Sequence, residues 1–443
     1  MILKAVNLVE WQTSEAGSLS GIDPKFDKRA ERIAEELASS DKLEILQLRG
    51  DIRIRATSWV GRITLGDLAI TVRPKIAGVP LLNLLRYAYS LRDLHTFMPT
   101  DFEARTNAFQ DLIVEQLANE TAELLSRGLH RDYLRFSAEL AIPAGRIDFR
   151  QLVFSLATAK SAVPCTYYNR SDAILLLAGL RLAAQLSTDS QLTARIFRLA
   201  QILEASVPTM RLTQRDLNNA RRVIDRRSTA YSSALTLIDL LVNGMGVSLA
   251  EAEDPVQMPG FLFDMNHFFQ SLISRFLHEE FPEFSIRDEH RLKGIFEYDP
   301  ANNPQHRSTV VPRPDFALLS NGKVIEFLDA KYRDLWETLL PREMLYQLAI
   351  YALSKDSGIP RATILYPTLT VEAVDQVMLF KDPTFGHRRA EIALRPVNLL
   401  TMEKLVRPHP GALVARQRQY FARTLVFGSK RETQFNSPAV LAS

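Results

Sequence analysis

The first part of the chain consists of short runs in which apolar and polar residues alternate. These runs fill residues 43–76, and Gly50, Gly61 and Gly66 separate them. Alternation interrupted by glycine is typical of short strands joined by turns, because successive side chains of a strand point to opposite faces. We therefore predict a small N-terminal antiparallel β-domain over residues 1–100.

Helical spacing of apolar residues replaces this alternation in the middle of the chain. It covers residues 81–91, 102–125, 173–186, 192–205 and 227–241. An extended stretch near residues 133–147 interrupts the helices, and the acidic run 251–255 is typical of a linker. The pattern predicts a mainly helical middle region over residues 101–255 and a further domain over residues 256–443.

Two apolar, β-prone segments in the last third predict a hairpin. They cover residues 315–319 and 324–331, and the intervening Ser320-Asn321-Gly322-Lys323 is a strong turn signal. Strand alternation places Asp329 and Lys331 on one face, with the backbone carbonyl of Ala330 between them. The whole chain therefore reads as an α+β multi-domain protein.

The register of this hairpin decides whether its two aspartates can meet. A two-residue Asn-Gly turn would set Asp315 opposite Leu328, which leaves Asp315 and Asp329 on opposite faces. A three-residue loop or a bulge would instead set Asp315 across from Asp329, with Cβ atoms roughly 5 Å apart. We therefore expect such an irregularity in the 320–323 connection.

The order Pro-Asp, then Asp-x-Lys on a strand, is typical of a metal-dependent nuclease. Carboxylates are hard oxygen ligands for Mg²⁺, and an ammonium group beside them can position an attacking water. Asp315, Asp329 and the Ala330 carbonyl are the predicted metal ligands, and Lys331 is the predicted partner of the water. A structural salt bridge between Lys331 and an aspartate is the alternative.

A helix with two polar residues on one face follows the hairpin. Pro341 suits its first turn, and Gln347 and Tyr351 are four residues apart. They are predicted site residues that hold a DNA phosphate or orient the groups around the metal. In the alternative interpretation, Tyr351 is a core residue and Gln347 a surface residue.

Composition narrows the class of protein. The chain has 443 residues, 46% of them hydrophobic and 24% charged, which is enough apolar material for more than one core. The single cysteine, Cys165, excludes an intrachain disulfide and a CxxC metal site. No long apolar segment is present, so we expect a cytoplasmic protein without a membrane partner. No phosphate-binding Gly-x-x-x-x-Gly-Lys-Ser/Thr motif is present, so we expect no bound nucleotide.

Positive charge is concentrated near the C-terminus. The formal net charge is +3, yet residues 388–432 contain ten Lys or Arg residues and three acids. Such a basic C-terminal segment would suit a phosphate backbone. A solvated helix face would explain Arg416, Arg418 and Arg423 equally well.

The series Pro-Asp, Asp-x-Lys, Gln-x-x-x-Tyr resembles the PD-(D/E)xK nuclease superfamily. Its flanks resemble the McrC family, the nuclease subunit of McrBC-type 5-methylcytosine restriction systems. The similarity spans roughly residues 45–370, and the matching segments are residues 70–76, 145–148, 169–172, 259–266, 329–332 and 346–348.

This resemblance implies a fold, an activity and partners. The last domain would be an α/β restriction-endonuclease-like domain that cleaves double-stranded, modified DNA with Mg²⁺. The partner would be a separate AAA+ GTPase of the McrB type, a hexameric ring on which the N-terminal and middle regions dock. Arg146 and Asp148 are candidates for stimulating this GTPase, although a surface ion pair at a turn explains them as well.

The sequence departs from the family at one position. Where the family has a glutamate on the helix after Asp-Met-Asn, this chain has Gln270. Another acid such as Glu279 or Glu280 replaces it, or two aspartates suffice. Two other functions stay open. One is a stand-alone nuclease of DNA repair or recombination, and the other is a catalytically inactive adaptor that binds DNA or the AAA+ GTPase.

Overall fold

The described part of the chain contains both β-strands and α-helices. The computed structural model describes residues 4–15, 28–48, 51–91, 109–128, 134–140, 146–147, 149, 163–169, 171–205, 207, 212, 214–223, 228–244, 260–355, 360–408 and 411–428. The strands are β1 (Lys4–Val9), β2 (Leu43–Leu48), β3 (Asp51–Ala56), β4 (Trp59–Leu65), β5 (Leu68–Arg73), β6 (Leu134–Leu140), β7 (Arg146–Ile147), β8 (Val163–Asn169), β9 (Gly260–Asp264), β10 (Ser285–Asp288), β11 (Phe316–Ser320), β12 (Lys323–Ala330), β13 (Arg361–Thr368), β14 (Gln376–Lys381) and β15 (Arg388–Asn398).

Eleven α-helices lie within the described residues. They are α1 (Lys28–Ser39), α2 (Gly78–Ala88), α3 (Phe109–Arg127), α4 (Ser171–Leu186), α5 (Ser190–Glu204), α6 (Gln214–Val223), α7 (Ser232–Gly244), α8 (Met265–Glu280), α9 (Arg342–Leu353), α10 (Leu399–Val406) and α11 (Ala412–Phe427). None of these described helices is long and apolar enough to cross a membrane. Together, these strands and helices make the protein a mixed α/β protein with several sheets.

The chain divides into two compact units. The first contains Met1–Pro74 and Leu94–Phe263, and the second contains Lys75–Asp93 and Asp264–Ser443. Helix α2 therefore belongs to the same unit as the C-terminal elements, although the predicted N-terminal domain included it. The predicted boundaries near residues 100 and 255 stay predictions, because both lie outside the described residues.

The main sheet of the first unit is mixed, so the prediction of an antiparallel β-domain is wrong in part. The strand order is β1-β5-β4-β9. Strand β5 pairs antiparallel with β4 but parallel with β1. A parallel pair requires a long crossover, and the chain between β1 and β5 includes α1 and the β2–β3 hairpin. Alternation within one strand cannot reveal the direction of its neighbour.

Two glycines permit the close approach of β4 and β9. A Cβ atom on Gly61 would lie 2.1 Å from the Phe261 carbonyl oxygen, and one on Gly260 would lie 2.3 Å from the Arg62 carbonyl oxygen. Both glycines also have positive φ, +139° and +148°, which other residues rarely adopt. Any side chain here would push the two strands apart.

The helices of the first unit match the apolar spacing of the middle region. Helix α3 packs against α7, α4 and α5, with fully buried Val114 and Leu117. The extended stretch predicted near residues 133–147 contains β6 and β7, which join β8 in a three-stranded sheet. Arg146 lies in β7, but its side chain and Asp148 lie outside the described residues.

A six-stranded sheet forms the centre of the second unit. Its order is β10-β11-β12-β13-β15-β14, with β12, β13 and β15 parallel to one another and antiparallel strands outside them. Helix α9 contributes Leu348, Tyr351 and Ala352 to the core on one face, where they join Phe327 and Ile364. Buried parallel strands of this kind read as continuous apolar runs, and every residue of β13 is buried.

Candidate active site

The hairpin that carries the two aspartates is irregular. Asn321 and Gly322 form a two-residue turn with φ of +51° and +78°, and Ser320 pairs with Lys323. A bulge follows, because Leu319 pairs with Val324 whereas Leu318 pairs with Glu326. The three-residue loop is therefore absent, and the bulge lies inside the strands rather than in the 320–323 connection.

The bulge corrects the register toward the end of the hairpin. Phe316 pairs with Leu328, so the next position along brings Asp315 across from Asp329. The two carboxylates thus share one face, as the chemistry requires. The extra residue, Ile325, changes the face of every later side chain, because side chains alternate with a period of two.

Lys331 lies between the two carboxylates. Its Nζ is 3.1 Å from Oδ2 of Asp329 and 3.9 Å from Oδ2 of Asp315. The backbone N–H of Ala330 donates to Oδ2 of Asp315 at 2.7 Å. The Asp-x-Lys segment therefore contacts the preceding aspartate through both a side chain and a peptide group.

The buried carboxylate of Asp329 lacks a full set of partners. Asp329 is 1% exposed, and no described residue donates a hydrogen bond to its Oδ1. A buried polar atom without a partner is costly. A divalent cation would satisfy this oxygen.

The peptide of Ala330 adds a further candidate ligand. The Lys331 N–H donates to the Leu365 carbonyl at 3.0 Å, on the β13 side, whereas the Ala330 N–H points to Asp315. In a strand, the C=O of a residue points to the same side as its N–H, so the Ala330 carbonyl also faces Asp315. Two carboxylates and one carbonyl are oxygen donors of the type that Mg²⁺ binds.

Burial raises the pKa of both carboxyl groups. Burial and the neighbouring Asp329 together raise the pKa of Asp315 to about 7. Burial also raises the pKa of Asp329, although the Lys331 ammonium counteracts it. Burial alone would lower the pKa of Lys331, but Asp329 and Asp315 raise it above its ordinary value, so Lys331 stays charged. A divalent cation would stabilise the ionised form of both aspartates.

Gln270 approaches Asp315 from α8. Its Nε2 donates to Oδ1 of Asp315 at 3.3 Å. Neither Glu279 nor Glu280 replaces the missing acid, because both bind Arg418, at 2.8 and 2.7 Å. They lie more than two turns further along the helix, facing α2 and α11. The suggestion that either acid substitutes at the site is therefore wrong.

Gln347 and Tyr351 form a chain of hydrogen bonds to the segment before Asp315. The Gln347 amide donates to the Tyr351 hydroxyl, which donates to the Arg313 carbonyl at 2.8 Å. Tyr351 is 1% exposed, so it is also a core residue. Burial and the charge of Asp329 raise the pKa of Tyr351 to about 12, which keeps its hydroxyl protonated.

Asn266 has a role that the sequence did not reveal. Asp264 caps α8 by accepting a hydrogen bond from the Asn266 N–H at 2.8 Å. The Asn266 side-chain oxygen accepts from the Tyr332 N–H at 3.3 Å, next to Lys331. The Asp-Met-Asn segment thus both starts α8 and contacts the backbone just after β12, and its resemblance to the family pattern was a sequence signal for this role.

The basic C-terminal segment is largely neutralised by acids of the same unit. Six of its ten cations form ion pairs: Arg388 with Glu391, Arg389 with Asp382, Arg395 with Asp375, Arg407 with Glu403, Arg418 with Glu279 and Glu280, and Arg423 with Glu283. Arg418 is nearly buried, so the solvated-face interpretation is wrong for it. Lys430 and Arg431 lie outside the described residues.

Known proteins share features with this chain. Residues 54–367 match the family model of the McrBC 5-methylcytosine restriction system component. No curated protein matches the chain. A solved structure from Thermococcus gammatolerans, a half-complex from a tetradecameric assembly of McrB AAA+ hexamers with bound McrC, is similar with a TM-score of 0.55 and 16% identity. The match covers 94% of this chain and 99% of that one.

A second structure, the cryo-EM structure of the Thermococcus gammatolerans McrBC complex, matches with a TM-score of 0.39 and 14% identity, over 62% of this chain and 88% of that chain. The first likeness supports a shared fold across nearly the whole chain. The family match covers well over half of the sequence and includes Asp315, Asp329, Lys331 and Tyr351. The chain therefore belongs to the family of McrBC 5-methylcytosine restriction system components.

Proposed function

We propose that this chain is the endonuclease subunit of a modification-dependent restriction system of the McrBC type. It would hydrolyse phosphodiester bonds of double-stranded, modified DNA with Mg²⁺, and its second unit would be a PD-(D/E)xK restriction-endonuclease-like domain. One observation carries the proposal: the buried Asp329 keeps a carboxylate oxygen without a described hydrogen-bond donor, directly beside Asp315 and Lys331.

Asp315, Asp329 and the Ala330 carbonyl would hold the metal ion. A bound Mg²⁺ supplies a Lewis acid for the scissile phosphate and lowers the pKa of a bound water. The Ala330 N–H and Gln270 amide keep Asp315 turned toward Asp329. These two hydrogen bonds hold the Asp315 carboxylate in place without a metal ion.

Lys331 would position the attacking water. Its side chain is 28% exposed, so the ammonium contacts both aspartates and remains accessible to solvent. Its positive charge would also stabilise the negative charge that builds up on the phosphate oxygens during in-line attack. Its contacts with the two carboxylates limit the directions in which it can move.

Gln347 and Tyr351 would act as positioning residues. The Tyr351 hydroxyl holds the carbonyl of Arg313, which is two residues before Asp315. Because a small shift of a ligand weakens a metal site, this bond matters for the site without touching the substrate.

A partner protein, an AAA+ GTPase, would supply the motor activity that nucleotide hydrolysis drives. The chain has no phosphate-binding loop motif, so nucleotide hydrolysis is assigned to a separate AAA+ GTPase of the McrB type. The Thermococcus gammatolerans assembly, in which McrC is bound to McrB AAA+ hexamers, supports this pairing. The N-terminal and middle regions are our candidates for docking, with Arg146 and Asp148 as candidates for stimulation.

Two other functions are less well supported. A stand-alone repair nuclease would cut DNA without a GTPase, whereas the family match favours a restriction system. An inactive adaptor would not need Mg²⁺, whereas the assembled Asp315, Asp329 and Lys331 favour an enzyme.

Cleavage and GTP turnover assays on the purified proteins test the proposal. Alone, the chain should at most nick methylated DNA weakly; with its cognate AAA+ protein, GTP and Mg²⁺, it should cut both strands and raise GTP turnover. Asp329→Ala should abolish cleavage but leave the stimulation intact. Glu289→Gln, which changes an exposed acid next to the site, is the matched control and should cut normally. Full cleavage by Asp329→Ala would end the nuclease assignment.

A further inference from the structure

Two carboxylates of the described part of the chain, those of Asp315 and Asp329, meet in the candidate active site. Within the described ranges, no group of three or more His, Cys, Asp or Glu side chains is placed to share a metal ion. Among those residues, Asp315 and Asp329 therefore provide the negative side-chain charge that is available to a cation at this site. Sites that hold two metal ions about 3.5–4 Å apart need ligands for each of them.

The position from which a third ligand would come is occupied by Gln270. Its side chain contacts Oδ1 of Asp315, so an acid in its place would lie within reach of the same ion. A glutamine amide can donate a hydrogen bond to the carboxylate, but it brings no charge. Gln270 thus holds Asp315 without adding a negative ligand.

Other nearby acids are engaged elsewhere. Glu289, whose charge contributes to the raised pKa of Asp315, has a side chain that is 67% exposed and lies 3.9 Å from Arg313. Glu279 is nine residues beyond Gln270 on α8, roughly 13 Å along the axis. It binds Arg275 at 2.7 Å and the Tyr87 hydroxyl at 2.6 Å. Glu279 is thus held by other partners, and Glu289 extends mainly into solvent.

The charge balance of the site also favours one divalent cation. With both aspartates ionised, the two carboxylates and the Lys331 ammonium carry one net negative charge. One divalent cation and one phosphate of the DNA backbone make the cluster neutral. A second cation would add two uncompensated positive charges, which a low-dielectric site disfavours, and an acid at position 270 would compensate one of them.

We propose that this site takes one divalent cation per chain rather than a pair, and that the neutral Gln270 sets this number while it positions Asp315. The inference rests on the proposed function. It implies that Lys331 does, on the side of the attacking water, what a second cation would otherwise do.

Mn²⁺ binding to the full-length protein tests this inference without an activity readout. The free ion is measured by electron paramagnetic resonance during a titration without DNA, and binding at the site is the difference between the wild type and Asp329→Ala. We expect a difference of one ion per chain for the wild type and for the control Glu289→Gln. Gln270→Glu should raise the difference to two, and Gln270→Leu should keep one ion with about tenfold weaker affinity.

Each of the other possible outcomes of this titration would contradict a different part of the inference. A difference of two in the wild type would overturn the single-ion inference but leave the proposed function standing. No difference between wild type and Asp329→Ala would overturn both. A Gln270→Glu variant that still binds one ion, or a Gln270→Leu variant with unchanged affinity, would refute the role of Gln270. Circular dichroism spectra of all variants show whether they fold.

Discussion

Asp329 and Glu391 are two buried acids in the same sheet with opposite surroundings. Glu391 in β15 accepts hydrogen bonds from Arg361 at 2.6 and 2.9 Å and from Arg388 at 2.6 Å. Asp329 in β12 shares one lysine with a second aspartate. Two cations thus serve one acid at Glu391, whereas one cation serves two acids at Asp329. The protein thus neutralises Glu391 with its own arginines, whereas the two acids at Asp329 exceed the one cation beside them.

An unpaired oxygen alone does not identify such a place. Glu326 also keeps one carboxylate oxygen without a partner among the described residues. Burial raises the pKa of Glu326, and the charges of Lys355, Arg361 and Arg395 around it counteract part of this rise. The excess of acids over bases, together with the missing partner, distinguishes Asp329.

The largest expected effect on this comparison is on stability. Glu391→Gln leaves Arg361 buried without its acid, and we expect a loss of about 3–5 kcal/mol, the usual cost of removing one partner of a buried pair. Asp329→Asn relieves the repulsion with Asp315, so its thermal unfolding temperature should equal or exceed that of the wild type. Thermal unfolding in metal-free buffer measures both. Equal destabilisation by the two substitutions would remove the contrast.

Replacement of Lys331 separates cleavage from metal binding. Lys331→Ala should reduce the single-turnover cleavage rate by about a hundredfold or more, because the water loses its positioning group. Mg²⁺ should bind at least as tightly as in the wild type, since a competing positive charge has gone. Isothermal titration in parallel with cleavage assays tests this pair of results. Loss of metal binding would mean that Lys331 holds the aspartates in place instead.

The pH dependence of metal binding should reflect the crowded acids. The pKa of Asp315 is raised to about 7, so the carboxyl is largely protonated at pH 6 and the proton competes with the cation. Mg²⁺ affinity should therefore fall about tenfold for each pH unit below 7 and level off above it. Titrations between pH 5.5 and 8 give the profile. A flat profile would show that the Asp315 carboxyl is ionised over this whole pH range.

The smallest expected effect concerns the positioning hydroxyl. Tyr351→Phe removes the bond to the Arg313 carbonyl, and we expect roughly a threefold to tenfold lower kcat with KM nearly unchanged. Tyr366→Phe is the matched control, because this buried tyrosine of β13 has a hydroxyl without a hydrogen-bond partner in the described part of the chain. If both substitutions reduce kcat equally, the effect comes from packing and not from the hydrogen bond.

Local sequence predicted the elements of the site well. Asn321-Gly322 predicted the tight turn, because both residues tolerate positive φ, and the apolar segments predicted β11 and β12. The requirement that two aspartates meet predicted an irregular register. The position of the bulge at Ile325 was beyond the sequence, because it depends on how both strands pack against the sheet.

Contacts between distant segments were beyond local reasoning. The basic segment looked exposed because its acidic partners Asp375, Asp382, Glu279, Glu280 and Glu283 come from other parts of the chain. The prediction of an antiparallel N-terminal domain failed at the parallel pair of β1 and β5 for a similar reason, since the alternation within a strand is the same in parallel and antiparallel pairs.

The sequence by itself determined which residues could do the chemistry: Asp315, Asp329 and Lys331 have the right types, spacing and alternation whatever surrounds them. Tertiary structure decided what each of them experiences. Burial raises the pKa of both aspartates. Gln270 of α8 donates a hydrogen bond to Asp315, and the Tyr351 hydroxyl donates one to the Arg313 carbonyl. Desolvation and hydrogen bonding depend on atoms that are far apart in the chain, so only the folded protein fixes them.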